Sequence, residues 1–172
     1  MEIDRIIITE EEIAARVAEM GAQITADYEG RELLVVGILK GAAVFMSDLI
    51  RHIHIPVEID FMSLSSYGAS TVTSGVVRML RDLDRGINGK DVLVVEDIID
   101  TGLTLTYLKS NLLARGPASL KICTFLDKPS RRKVDFVPDY CGMAIEDFFV
   151  VGYGLDYNEM GRAYPYIAVV KE

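Results

Sequence analysis

Val94-Val95-Glu96-Asp97-Ile98-Ile99-Asp100-Thr101-Gly102-Leu103-Thr104 reads as a buried strand that ends in acids and turns at once into a helix. The run from Asp91 to Ile99 is the most strand-like stretch of the chain, and a nearly unbroken apolar run marks a strand covered on both faces. A helix start opened by a small, flexible turn exposes free N–H groups and the positive end of a dipole, which together cradle a phosphate. Thr101 and Thr104 add hydroxyl donors to that cradle. The adjacent pair Glu96-Asp97 suits vicinal hydroxyls or a hydrated Mg²⁺. The plainer reading, a strand ending in solvated acids before a capped helix, leaves three acids in five residues without a cation or hydroxyl partner, which is costly.

Working outward, strand-like and helix-like segments alternate. Thr9 to Tyr28 reads as a helix: Thr9 and Glu12 have capping-box spacing, and Ile13, Val17, Met20 and Ile24 recur at helical steps. Glu32 to Leu39 is a buried strand, Gly41 to His54 a helix, and Val57 to Ser65 and Val76 to Leu83 two further strands. After the strand Asp91 to Ile99 a helix runs from about Leu103 to Ala114, stopped by Arg115-Gly116-Pro117, and Leu120 to Leu126 is another strand. From Asp139 the pattern changes to short β-like pieces broken by glycines. Such alternation predicts a parallel α/β sheet with ligands at the carboxyl ends of the strands, and the β-rich tail reads as an appended subdomain.

Composition narrows the partners. The 172 residues make one domain, half of them hydrophobic and 26% charged; a chain this long buries roughly 70% of its unfolded surface. With 26 Asp+Glu against 18 Lys+Arg the net charge is −8, so the broad basic field of non-specific nucleic-acid binding is missing and no nucleic-acid partner is expected. Phosphate must be held locally, by amides, single cations or a metal. Cys123 and Cys141 are too few for a disulfide scaffold or a four-cysteine zinc site. The start MEIDRIIITEEE is acidic where a signal peptide needs a basic start, and no apolar run approaches a membrane span. The expectation is a cytoplasmic protein with no membrane partner.

Two rivals fall away. Receiver domains of response regulators also begin VLVVED, but here that motif leaves only about 80 residues, against the ~100 or more of a doubly wound domain. A dinucleotide fold needs a GxGxxG after a strand, and none occurs.

Residues 94–104 resemble the diphosphoribosyl-binding signature of the type I phosphoribosyltransferases, and the remaining segments resemble the hypoxanthine-guanine (6-oxopurine) branch over nearly the whole chain. The resemblance implies a parallel-sheet core of about residues 30–127 with flanking helices. A small β-rich hood subdomain would come from about 128–172 with the N-terminal residues. Leu39-Lys40-Gly41 is similar to the family's pyrophosphate loop, whose Leu–Lys peptide is cis and turns a backbone N–H toward the pyrophosphate. Ser65-Ser66-Tyr67-Gly68 resembles the loop that closes over the active site. That implies a lid at Ser66 and Tyr67, shielding a cationic centre from water. Lys128, in Leu126-Asp127-Lys128-Pro129, is implied to donate to the purine 6-oxo group. Phe149 would stack on the ring, and Val150 and Asp156 would read its edge. Arg162 matches a pyrophosphate-contacting arginine, and Glu96, Asp97 and Asp156 are implied metal ligands. Leu103 fills a place in the Thr-Gly-x-Thr turn where some relatives carry a basic residue, so phosphate there would rest on amides and hydroxyls. His52 and His54 carry no catalytic expectation.

The implied reaction is a Mg²⁺-dependent purine-salvage transfer. The 5-phosphoribosyl group of 5-phosphoribosyl 1-diphosphate passes to N9 of hypoxanthine or guanine, giving IMP or GMP and pyrophosphate. Glu96, Asp97, Thr101, Gly102, Leu103 and Thr104 would bind ribose and 5′-phosphate, Leu39, Lys40, Gly41 and Arg162 the pyrophosphate, and Asp100 would face purine N7 as the catalytic acid–base group. A homodimer or homotetramer is expected. The alternatives are a regulator of the same fold that binds RNA or a nucleotide, and a same-fold enzyme for xanthine or another base. The net charge weighs against the first; Lys128 and the Phe149 segment favour a 6-oxopurine over adenine or orotate.

Overall fold

The computed structural model describes residues 1–66 and 77–171. Along the chain run β1 (Ile3–Ile8), α1 (Glu10–Asp27), β2 (Leu33–Leu39), α2 (Ala43–Ile50), β3 (Val57–Ser66), β4 (Val77–Arg81), β5 (Asp91–Ile99), α3 (Leu103–Leu113), β6 (Ser119–Asp127), a 3₁₀ turn (Pro129–Arg131), β7 (Tyr140–Ala144), β8 (Val150–Val151) and β9 (Ile167–Val170). Six strands form one sheet in the order β4-β3-β2-β5-β6-β7. All its neighbours are parallel except β4, which returns antiparallel along β3.

The apolar strands deliver what their composition requires, a core on each face. Leu93 and Val95 of β5 face Ile13, Val17, Met20 and Ile24 of α1 with Phe45 and Leu49 of α2, whereas Val92 and Val94 face Leu105, Leu108 and Leu112 of α3. The side chains of β5 change faces regularly up to Val95. Past Glu96-Asp97 the alternation slips by one residue, since Ile98 packs in the α1/α2 core and Ile99 in the α3 core. The expected capping box starts α1: Glu12 N–H donates to Thr9 Oγ1 and Thr9 N–H to Glu12 Oε2.

Three boundaries differ from the sequence reading. Helix α2 is shorter than Gly41–His54, because residues 51–54 leave it as a turn in which His52 and Ile53 donate to Leu49 and Ile50. Strand β7 lies beyond residue 127 yet extends the main sheet alongside β6. The first residues form a strand, β1, that pairs with β9 in a separate antiparallel sheet of order β1-β9-β8. That small sheet sits over the core through Val150, Tyr153, Ile167 and Val169. Its chain then carries residues 152–162 back to the carboxyl ends of β2 and β5, where the Gly154 backbone meets Gly41.

Candidate active site

Parallel pairing of Leu33–Gly37 with Asp91–Val95 brings Lys40-Gly41 and Glu96-Asp97 out of the sheet side by side. The Leu39–Lys40 peptide is cis. A Cβ on Gly41 would stand 1.8 Å from Asp97 Oδ2, and a Cβ on Gly154 (φ +96°) would stand 2.3 Å from the Gly41 carbonyl. The Gly41 backbone is thus pressed between a carboxylate and the loop from the small sheet, and neither glycine leaves room for a side chain. Glu96 and Asp97 are half-buried neighbours. Burial, then the Asp97 charge, pushes the Glu96 carboxyl well above its ordinary range, and burial raises Asp97 as well. Backbone N–H groups offset part of this: Asp97 donates to Glu96 Oε1 and Ile98 to Asp97 Oδ1. The pair is short of positive charge, the condition that a cation or hydroxyl donors relieve.

The turn from Thr101 to Thr104 is held from behind. Gly102 caps α3 with φ +81°, a left-handed conformation that glycine adopts freely. A Cβ there would also lie 3.0 Å from Arg132 Cδ. Leu103 N–H donates to Thr101 Oγ1 at 3.3 Å, and the first helical turn has N–H groups without intrahelical acceptors, facing outward. Arg132 ties this turn to the sheet, donating to the Asp100 carbonyl at 2.8 Å, to Asp127 Oδ1 at 2.7 Å and to the Phe136 carbonyl at 2.8 Å. Lys133 N–H adds a bond to the Thr101 carbonyl. Nothing in the spacing of Arg132 marks this role in the sequence, because the turn it anchors lies 32 residues upstream.

Asp100 and Lys128 come together at the ends of β5 and β6, whose tips are joined by the Lys128 N–H bond to the Ile99 carbonyl. The Lys128 side chain is 9% exposed, and its Nζ lies 3.7 Å from Asp100 Oδ1 and 3.6 Å from Asp147 Oδ1. Asp100 Oδ1 is buried with no hydrogen-bond partner. Asp147, unremarked in the sequence reading, is the second counter-charge and also meets Arg131 at 3.4 Å. The two phenylalanines beside it separate cleanly. Phe148 packs on the core with Arg5 over its ring, while Phe149 is 52% exposed and meets Tyr157 edge-on at 5.5 Å. Phe149, with Asp147, lines a cavity of about 390 Å³. Another cavity, of about 550 Å³, opens at the opposite ends of the strands around Arg31, Lys90 and Asp91, and none of the candidate residues lines it.

Lys40 and Arg162, distant in sequence, share one neighbourhood with two acids. Lys40 Nζ lies 2.8 Å from Glu159 Oε2, and Arg162 lies 3.0 Å from Asp156 Oδ1 and 3.5 Å from Glu159 Oε1. Arg162 also donates to the Gly154 carbonyl at 2.7 Å. Asp156 Oδ2 accepts the Glu159 N–H at 2.9 Å, so both its oxygens are engaged. The hydrogen bond from Lys40, then its charge, holds the Glu159 carboxyl below its ordinary range.

Among the described residues no three His, Cys, Asp or Glu side chains close around a metal. The donor set fits magnesium nonetheless, since that ion keeps several waters and takes one or two carboxylates with substrate oxygens; Glu96 and Asp97 supply such a pair. Ser66 contributes backbone to β3 opposite Val77. Tyr67, the other expected lid residue, lies outside the described residues. Among the described residues no helix is long and apolar enough to cross a membrane.

Comparison with known proteins shows the family. The family described as phosphoribosyl transferase domain matches residues 6–158. The chain is 52% identical to the hypoxanthine-guanine phosphoribosyltransferase of Bacillus subtilis, covering 99% of this chain and 94% of that one. It is also 52% identical to the hypoxanthine phosphoribosyltransferase of Salmonella typhimurium, covering 96% and 94%. A crystal structure of a hypoxanthine-guanine phosphoribosyltransferase from Bacillus anthracis superposes with a TM-score of 0.96 at 52% identity, covering 99% of this chain and all of that one. With a family model matching most of its length and relatives at about half identity over nearly all of it, the chain belongs to the phosphoribosyltransferase family.

Proposed function

We propose that this enzyme salvages 6-oxopurines, joining N9 of hypoxanthine or guanine to the 5-phosphoribosyl group of 5-phosphoribosyl 1-diphosphate and releasing pyrophosphate. The observation that carries this reading is Lys128, a nearly buried ammonium held between Asp100 and Asp147, the latter two positions before the exposed Phe149. A ring lying on Phe149 offers an exocyclic oxygen to Lys128; an amino group at that place, as on adenine, meets a donor with a donor. The relatives' names point to the same substrates.

The remaining roles belong to the same proposal. Thr101, Gly102, Leu103 and Thr104 take the 5′-phosphate on amides and hydroxyls, and Glu96 and Asp97 take the ribose hydroxyls. Lys40, Arg162 and the backbone of Leu39-Lys40-Gly41 hold the pyrophosphate. Glu96, Asp97 and Asp156 would hold magnesium together with substrate oxygens, the ion adding positive charge beside the departing pyrophosphate. The C1′–O bond breaks with its electron pair leaving on pyrophosphate, and the N9–C1′ bond forms from the opposite face. Asp100 accepts the proton given up at N7 as N9 bonds. Lys40 and Arg162 stabilise charge on the leaving group where it builds.

The test of substrate is a base panel, with nucleotide formation measured from 5-phosphoribosyl 1-diphosphate and magnesium. Hypoxanthine and guanine should yield IMP and GMP while adenine yields nothing; turnover of adenine alone would overturn the reading. Within that assay Lys128→Ala should raise KM for hypoxanthine by a factor equivalent to about 1.5–3 kcal/mol, the loss of a charged hydrogen bond. KM for 5-phosphoribosyl 1-diphosphate should stay within a few-fold. Equal weakening of both would move Lys128 to the phosphate side.

A further inference from the structure

Glu159 stands where two separate stretches of backbone converge. Its carboxylate spans Lys40, which follows β2, and Arg162, which follows β8, with Oε2 on one cation and Oε1 on the other. It does so from a tight turn. Tyr157 and Met160 exchange N–H to carbonyl bonds, and the two residues between them, Asn158 and Glu159, have φ +49° and +66°. A two-residue hairpin turn with both φ values positive favours Asn followed by Gly. Here the glycine place holds a glutamate, whose left-handed backbone is disfavoured for a non-glycine residue. The side chain at that place is the one that reaches both cations. Arg162 keeps spare capacity as well, because its Nε is buried without an acceptor.

We propose that Glu159 is an internal counter-anion of the pyrophosphate subsite, bridging Lys40 and Arg162 and giving them up when pyrophosphate takes the same two cations. The inference rests on the assignment of Lys40 and Arg162 to pyrophosphate given above. Its consequence is a trade: pyrophosphate must displace a resident carboxylate, so it binds less tightly and leaves more readily. An exposed carboxylate is suited to this, since a surface ion pair is weak enough to exchange.

The measurement is calorimetric titration of inorganic pyrophosphate, in magnesium buffer at low ionic strength, into the wild-type protein, Glu159→Gln and Glu159→Ala. Both variants should bind pyrophosphate tighter than wild type, by about 3- to 10-fold for the loss of two exposed pairs. The gain should shrink in a Lys40→Met background and with added salt. If wild type binds pyrophosphate and the variants bind it equally or more weakly, Glu159 is not a competitor and this inference falls alone. If none of the proteins binds pyrophosphate, the assignment of Lys40 and Arg162 falls, and the inference with it.

Discussion

Gly41→Ala is expected to lower kcat/KM by about 10²-fold or more, the scale of loss when reacting groups are displaced by about 1 Å. The added methyl would stand 1.8 Å from Asp97 Oδ2 and 2.6 Å from its Cγ. Either the carboxylate assigned to the ribose hydroxyls or the loop assigned to pyrophosphate has to move. Gly41 has no positive φ, so the change costs no backbone strain of its own. Overpacking a tight site costs about 1–3 kcal/mol, so the variant should stay folded while turnover collapses. Steady-state kinetics beside a thermal melt check this. A variant with near-normal kcat/KM would mean that the Lys40-Gly41 loop and Asp97 are not jointly used.

Asp100→Asn is the second large effect, a drop in kcat of about 10²-fold, within the range for loss of a general acid–base group. The side chain is well placed for a chemical test. Its backbone carbonyl is fixed by Arg132, while its Oδ1 is buried, accepts no hydrogen bond and has the Lys128 ammonium 3.7 Å away as counter-charge. Asparagine keeps shape and one acceptor oxygen but cannot hold the N7 proton. The affinity for 5-phosphoribosyl 1-diphosphate should change far less than kcat, since the Asp100 side chain is assigned to the base and not to the phosphates. Matching losses in both would make Asp100 a positioning residue for the neighbouring turn.

Where local pattern and tertiary placement agree, the chain was readable. Strand β5 covers the nine residues Asp91–Ile99 read from the apolar run, and α3 begins at Leu103, as the Thr-Gly-x-Thr turn implied. Strand β1 was not readable as such, because its partner β9 lies at the far end of the chain and no local signal announces the pairing. The same limit governs the site. Glu96, Asp97, Asp100 and Thr101 announce themselves by crowding acids and a turn at one junction. Arg132, Asp147 and Glu159 do not, since each acts on a residue from another segment and looks like a surface charge in the linear chain. Phe148 and Phe149 are indistinguishable by type; only the packing, one ring on the core and one exposed, tells them apart.

On the proposed function, one cleft at the carboxyl ends of β2, β5 and β6 holds base, ribose and pyrophosphate in contact with the named residues. A crystal structure with magnesium, pyrophosphate and an unreactive 6-oxopurine nucleoside analogue tests it most directly. Lys128 Nζ should lie at hydrogen-bond distance, about 2.6–3.2 Å, from the 6-oxo group, Asp100 at the same range from N7, and the purine ring on Phe149. Lys40 and Arg162 should lie on the pyrophosphate with Glu159 swung away. A purine bound elsewhere, or bound here with its oxygen turned from Lys128, would contradict it.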